Sequence, residues 1–264
     1  MVPNVGQVQR RVRQYAALTD DAVRLRLAKQ LVRAKLEAQH RFLLRATRGA
    51  ESAHDRNGIL GHLTALSDSI AHAAHATDAD VLRGHEGAGA ASYFAALPTL
   101  IAKEVPEALQ YAGRSRRPTL DRFSGILNFG YALLQTAVMR ALLATGLEPA
   151  LGFYHTPRSA AHPLVLDLME LFRVPLWDMT VIGSLNRGQW DPAADFTATK
   201  LKVWLSDAGR RKAIGLFEGR LRENWKHPVV NYSLSYLRTI ELEARLLEKE
   251  WTGEPGLFAR MRLR

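Results

Sequence analysis

Apolar residues recur at three- and four-residue spacing over 7–48, 58–76, 87–112, 121–146, 163–173, 195–223 and 229–251, in stretches rich in Ala, Leu, Arg and Glu. That period is the signature of helices with one buried face. Helix breakers fall between the stretches: Gly49, Gly84, Arg114–Pro118, Gly146 to Pro149, Pro175, Gly188 to Pro192, Pro228 and Gly253 to Gly256. Strand-like alternation is confined to Ala150–Tyr154 and Met179–Ile182, which are too short for a sheet. Asp121 is placed to cap the helix that runs into Ile126, and Pro163 to open its own. No repeat and no long Ser/Gly linker divides the 264 residues, which suffice to bury a substantial core. The pattern predicts an all-α fold, a single multi-helix domain over 1–264. Within it, 1–84 form a looser first third, 85–252 the core, and 253–264 a basic tail expected to be mobile.

The stretch Pro163–Pro175, PLVLDLMELFRVP, is apolar except for Asp167, Glu170 and Arg173, each three residues from the next. That spacing puts both carboxylates on one helix face. A carboxylate on so apolar a helix is costly unless it is paired or holds a metal. Just upstream, GFYH ends in His155, which precedes Pro157 and Arg158 in a tight loop. Further back, HEGAGAASYF carries Glu86 beside residues of almost no side-chain bulk, fit for a helix contact and for the approach of a phosphodiester backbone. The convergence of Glu86, His155, Asp167 and Glu170 from separate apolar segments points to a divalent-metal site. His54, His62, His72 and His75 lie among polar residues and read as solvated, and His85 points elsewhere than Glu86. Oxygen ligands with one imidazole suit Mg²⁺ or Mn²⁺, the histidine favouring Mn²⁺. Such an ion polarises a phosphodiester and activates a water or hydroxyl. There is no convincing catalytic triad and no Walker loop, and the GxG of EGAGAA lacks the strand of a dinucleotide site.

Charge narrows the substrate. The formal net charge is +10, most of it from arginine, whose planar fork suits phosphate. Arg114, Arg116 and Arg117 crowd before Pro118, Arg158 follows His155, and Arg173 shares a helix with the two acids. These are the candidates for gripping DNA phosphates; Lys200, Lys202, Arg210, Arg211 and Lys212 form a further basic run. The absence of cysteine excludes disulfides, zinc thiolates and cysteine nucleophiles, and fits the cytoplasm. The first residues have no apolar secretion core, and the most apolar span, Ile126 to Leu147, carries Asn128, Gln135 and Arg140 inside it. A core helix is expected there rather than a membrane span.

Taken in order, EGAGAASYF at Glu86–Phe94, RSRRPTLDRFSGILNFGYALL at Arg114–Leu134, GLEPALGFYHTPR at Gly146–Arg158 and LVLDLMELFR at Leu164–Arg173 resemble the motifs of the CRISPR-associated integrase family, Cas1. Weaker likeness runs through AKQLVRAKLEAQHRFLLR, Asn186–Arg187, Asp195–Phe196, His227–Pro228 and the final helix, covering nearly the whole chain. The resemblance implies a helical catalytic domain holding one divalent metal, Mg²⁺ or Mn²⁺, with Glu86, His155 and Glu170 as catalytic ligands and Asp167 as a possible assistant. It implies an endonuclease and integrase of spacer acquisition, which joins the 3′-hydroxyls of short DNA fragments to phosphates of a CRISPR repeat and cuts branched DNA. It also implies paired dimers bridged by a small ferredoxin-fold partner, Cas2. Family members normally begin with a β-rich dimerisation domain. This chain opens almost directly on helix, so a monomeric or weakly associated protein is expected. Thr119 and Ser124 stand where the family usually has proline and asparagine. Two other readings remain: an idle helical DNA-binding remnant that packs with an intact homologue, and a metal hydrolase of small phosphate esters.

Overall fold

The structure, a computed structural model, describes residues 5–48, 53–111, 113, 119–155, 162–227 and 230–260. Among them helix dominates, as the apolar period requires, but its boundaries differ from the expected ones where polar side chains or prolines intervene. The first long stretch breaks in two, α1 (Val5–Leu18) and α2 (Asp21–Arg48). Asp20 causes the break: its carboxylate accepts the Ala22 amide at 2.8 Å and so caps α2. Then come α3 (Ala53–His75) and α4 (Ala79–Ala96). Asp78 caps α4 by accepting from Asp80 and Val81, both at 2.9 Å, so that helix begins well before the expected residue 87. It ends before Pro98 in two short 3₁₀ turns, Leu97–Leu100 and Glu107–Leu109, rather than running on to 112.

Helix α5 (Arg122–Thr145) is the hub. Asp121 caps it as expected, accepting the Ser124 amide at 2.7 Å, and left-handed Gly146 (φ 83°) ends it. It is long and apolar enough by composition to cross a membrane, yet its apolar residues Phe123, Ile126, Leu127, Leu134, Val138 and Leu142 are buried in the core. Helix α6 (Pro163–Met169) leads through a turn into a π-helical segment, Arg173–Asp178, and on into α7 (Met179–Asn186). The chain therefore does not stop at Pro175, as its proline predicts. Proline has no amide to donate, and the backbone answers by widening the turn, the Met179 amide reaching back to the Val174 carbonyl. Met179–Ile182, strand-like in pattern, is helical, as the first residues of α7.

Two small antiparallel hairpins complete the fold. β1 (Phe196–Ala198) pairs with β2 (Val203–Leu205) in the register Phe196↔Leu205, and β3 (Asn224–Lys226) pairs with β4 (Ser233–Ser235) in the register Asn224↔Ser235. β1 and β2 occupy the start of the expected helix 195–223 and β4 that of 229–251, with β3 between the two stretches, so α8 (Asp207–Arg222) and α9 (Tyr236–Thr252) begin later than the period implied. Ser206 and Ser235 cap them.

Helices α2, α3 and α4 pack on one another, and α5 is ringed by α6, α8, α9, β2 and the π segment. The looseness expected of residues 1–84 is not seen where they are described, since Leu27, Leu31, Leu36, Leu43, Leu66 and Leu82 are all fully buried. Nor is the described part of the tail free. Glu250 accepts the amides of Gly256, Leu257 and Phe258 at 2.7, 3.0 and 3.1 Å, and Glu243 accepts that of Ala259 at 3.1 Å. Phe258 is thereby buried edge-on against Phe153.

One close approach governs where the π segment lies. A Cβ on Gly130 would fall 1.9 Å from Cε2 of Trp177, so only glycine lets that indole rest on α5. There its Nε1 donates to the Ile126 carbonyl at 3.1 Å.

Candidate metal centre

Side chains from five elements meet at a cavity of about 680 Å³. Helix α2 contributes Lys35 and Gln39, α4 contributes Glu86, α5 contributes Tyr131, the 151–155 loop contributes His155, and the chain after α6 contributes Glu170, Arg173 and Asp178. Gly87, Ala90 and Ala91 make a wall of little bulk beside Glu86, as their size foretold. The cavity thus brings together the residues singled out as ligands, Glu86, His155 and Glu170.

Asp167 belongs to the loop instead. It is fully buried, and its two oxygens accept the amides of Phe153 (2.8 Å), Tyr154 (3.1 Å) and His155 (2.8 Å). It also receives Nδ1 of His155 at 2.7 Å. The three-residue spacing from Glu170 does not put both acids to the same use, because α6 ends at Met169 and Glu170 lies past its last turn. Gly152 makes the arrangement possible, since a Cβ there would lie 2.7 Å from the Asp167 carboxylate. The bond at Nδ1 has a chemical consequence: a neutral imidazole that donates there keeps the lone pair of Nε2 for a cation. Burial disfavours the charged form of His155, but the hydrogen bond and charge of Asp167 outweigh it and raise the pKa.

Glu86 and Glu170 are drawn toward one cation, the ammonium of Lys35. It touches Oε1 of Glu86 and lies 2.7 Å from Oε2 of Glu170. The Tyr154 hydroxyl donates to the other Glu86 oxygen at 2.7 Å, and Arg173 Nε stands 3.0 Å from Oε1 of Glu170. Glu170 is nearly buried, which alone would raise its pKa, yet Arg173 and Lys35 hold it down at about 2. Its Oε2 is close enough to Lys35 for an ion pair but makes no properly directed hydrogen bond. A carboxylate that is ionised, buried and short of a directed donor suits a metal ion. Among the described residues no set of three His, Asp or Glu side chains is drawn tightly enough to hold an ion as it stands. The donor chemistry fits a hard divalent ion all the same: two carboxylates already gathered around one positive charge, and an imidazole lining the same cavity.

A third buried acid, Asp178, also lines the cavity. Asp178 receives the hydroxyls of Tyr93 at 2.8 Å and Tyr131 at 2.7 Å, and burial pushes its pKa up to about 6 despite those bonds. The Tyr131 ring carries the Arg173 guanidinium on its face, 4.4 Å from the centroid. Arg173, expected to grip phosphate, is thus engaged with Glu170 and Tyr131. The other arginines assigned to DNA, Arg114, Arg116, Arg117 and Arg158, lie outside the described residues. In the later basic run, Lys212 pairs with Asp195 and Arg210 lies 3.4 Å from Asp207. Of the histidines read as solvated, His62 bonds Ser92 at 3.0 Å, and His72 stacks on His85 with ring centroids 5.3 Å apart.

Lys35, Gln39, Tyr93, Tyr131, Tyr154 and Asp178 escaped the sequence reading. A signal existed for the first pair: Ala28, Leu31, Val32, Lys35 and Gln39 follow the helical period, and the three apolar members are buried. A lysine and a glutamine that continue a core stripe are buried polar groups in want of partners.

A family model described as CRISPR associated protein Cas1 matches residues 1–219. The chain is 54% identical over 261 residues to a CRISPR-associated exonuclease Cas4/endonuclease Cas1 fusion of Leptospira interrogans, a match covering 99% of this chain and 48% of that protein. It is 31% identical over 252 residues to CRISPR-associated endonuclease Cas1 1 of Moorella thermoacetica, covering 96% of this chain and 73% of the relative. The chain spans about half the length of the fusion relatives it matches. Among solved structures, a Cas1 protein from Thermotoga maritima superposes with a TM-score of 0.79 at 25% identity, over 96% of this chain and 72% of that one. A chain of a Cas6-RT-Cas1–Cas2 complex does so with a TM-score of 0.82 at 22% identity, over 99% of this chain and 28% of that one.

Proposed function

The chain belongs to the CRISPR-associated Cas1 family, and we propose that its cavity is a divalent-metal centre for phosphodiester chemistry on DNA. The carrying observation is that Glu86, His155 and Glu170 line one cavity, with the Asp167 carboxylate at Nδ1 of the imidazole favouring the tautomer that leaves Nε2 free. Glu86, Nε2 of His155 and Glu170 would hold Mg²⁺ or Mn²⁺. The ion would supply Lewis-acid polarisation of a phosphodiester and a more acidic water or hydroxyl. The chain's own groups do the rest. Tyr154 holds the Glu86 carboxylate through its hydroxyl, and Asp167 holds the loop and the ring of His155. Lys35 and Arg173 bring positive charge to the wall where a phosphate would arrive, and Gly87, Ala90 and Ala91 leave it room.

The reactions proposed are cleavage of branched DNA and joining of the 3′-hydroxyls of short DNA fragments to phosphates of a CRISPR repeat. Relatives named endonucleases support the nuclease class, and a neighbour that is a Cas1–Cas2 complex supports a Cas2 partner. A strongly basic chain supports DNA over a small phosphate ester. The rival reading, an idle DNA-binding remnant, is not favoured by any feature of the cavity. Incubation of the chain with branched DNA separates the two. Cleavage should require Mg²⁺ or Mn²⁺, stop with EDTA, and be lost in Glu86→Ala, His155→Ala and Glu170→Ala variants that remain helical. DNA binding without metal-dependent cleavage would select the remnant.

A further inference from the structure

We infer that Lys35 is the resident cation of this site: it holds Glu86 and Glu170 in readiness, gives way when a divalent ion enters, and is then free for a phosphate of the bound DNA. The inference rests on the reading of the cavity as a metal centre. Glu86 and Glu170 come from separate elements, and their side chains are 19% and 5% exposed. Two carboxylates so placed repel each other, and burial strengthens the repulsion. The Lys35 ammonium relieves it by contacting both, from a side chain only 12% exposed. A divalent ion bound by the same oxygens cannot share them with an ammonium. Like charges at contact distance in a partly buried site repel strongly. Metal entry therefore displaces Lys35.

The cavity shows where the ammonium can go. Gln39 stands one helical turn beyond Lys35, lines the same cavity and is 3% exposed, yet its Oε1 has no hydrogen-bond partner among the described residues. A buried amide oxygen without a donor is costly, and a swung lysine would satisfy it. The remaining N–H donors of the ammonium would then be available to a phosphodiester admitted beside the low wall of Gly87, Ala90 and Ala91. Lys35 is thus a positioning residue that couples two bindings. Without DNA it competes with the metal. With DNA its charge is wanted elsewhere, and the metal binds more tightly. Linkage makes the effect reciprocal.

The test is titration calorimetry of Mn²⁺ into the full chain, wild type and Lys35→Met, with and without a short DNA duplex, with DNA-alone blanks subtracted. Without DNA, Lys35→Met should bind Mn²⁺ about tenfold more tightly than wild type. DNA should strengthen Mn²⁺ binding by the wild type more than that by Lys35→Met, since phosphate contact with the ion helps both and release of the lysine helps only the wild type. In EDTA, Lys35→Met should melt at a lower temperature than wild type, and saturating Mn²⁺ should close the gap. Lys35→Gln serves in its place if the methionine variant does not fold. Equal or weaker Mn²⁺ binding by the lysine variants would overturn this inference and leave the metal centre standing. Absence of Mn²⁺ binding in every protein, DNA present or not, would overturn both.

Discussion

Replacing Asp167 with asparagine should damage stability as well as the site, and the structure says by how much. The wild-type carboxylate is fully buried and accepts three backbone amides, from Phe153, Tyr154 and His155, together with Nδ1 of His155. Asparagine keeps the shape but has one accepting oxygen in place of two. Its NH₂ group would face amides that can only donate, leaving at least one buried donor unpaired. An unpaired buried group costs about 1–3 kcal/mol, and loss of the charge weakens the remaining bonds by roughly half. The sum is about 3–5 kcal/mol, the range for breaking a buried charged network. For a chain of this size that lowers the melting temperature by roughly 10 °C. His155→Ala provides the contrast: it removes one of the four bonds, a charge-assisted one from a side chain about a third exposed, and leaves Asp167 with its three amides, so it should cost about 1.5–2 kcal/mol, less than Asp167→Asn. Urea denaturation of both variants, read by circular dichroism, measures the difference. Asp167→Asn within about 0.5 kcal/mol of wild type would show that the carboxylate does not hold the loop.

Asp178 predicts a pH effect of defined sign. Its folded pKa, about 6, lies above the ordinary carboxylate value of 3.8 because of burial, so the folded protein holds this proton more tightly than the unfolded chain. That contribution is full below about pH 4, is lost as pH rises through about 6, and amounts to ~3 kcal/mol. The stability of Asp178→Asn relative to wild type should therefore improve between pH 4 and pH 7, and a flat difference across that window would refute the raised pKa. Gly130→Ala should lower stability by about 1–3 kcal/mol or more, because its Cβ would collide with the Trp177 indole; an unchanged melting temperature would contradict the packing described. Neutralising Arg114, Arg116 and Arg117 together should weaken DNA binding alike for all sequences and reduce the slope of log K against log salt by about 0.9 for each phosphate left without its arginine. An altered sequence preference at constant slope would mean base readout.

Much of this was legible in the chain. The helical period marked the long helices in outline, merging α1 with α2 and starting α4 too late, and Asp121 and Pro163 marked two helix starts, because caps and first-turn prolines are local chemistry. Breaks that depend on tertiary partners were not legible. The widened turn around Pro175 is held by Trp177 lying on Gly130, a contact between residues far apart in sequence. The hairpins before α8 and α9 are three-residue strands, too short to show an alternating pattern. In the site, charged residues stranded in apolar segments pointed to Glu86, His155, Asp167 and Glu170. Asp167's separate task stayed hidden because it depends on the path of the 151–155 loop. Lys35 hid for a different reason. Lysines are mostly solvated, and only its place in the stripe of Ala28, Leu31, Val32 and Gln39 set it apart.

Whether Glu86, His155 and Glu170 together hold one divalent ion can be seen in crystals of the chain soaked in Mn²⁺, with diffraction measured at a wavelength where manganese scatters anomalously. One strong anomalous peak is expected in the cavity, bonded to carboxylate oxygens of Glu86 and Glu170 and to Nε2 of His155, with Asp167 still on Nδ1 of the ring. A peak held by other residues, or a cavity with the Lys35 ammonium still between the two carboxylates at saturating Mn²⁺, would contradict that assignment.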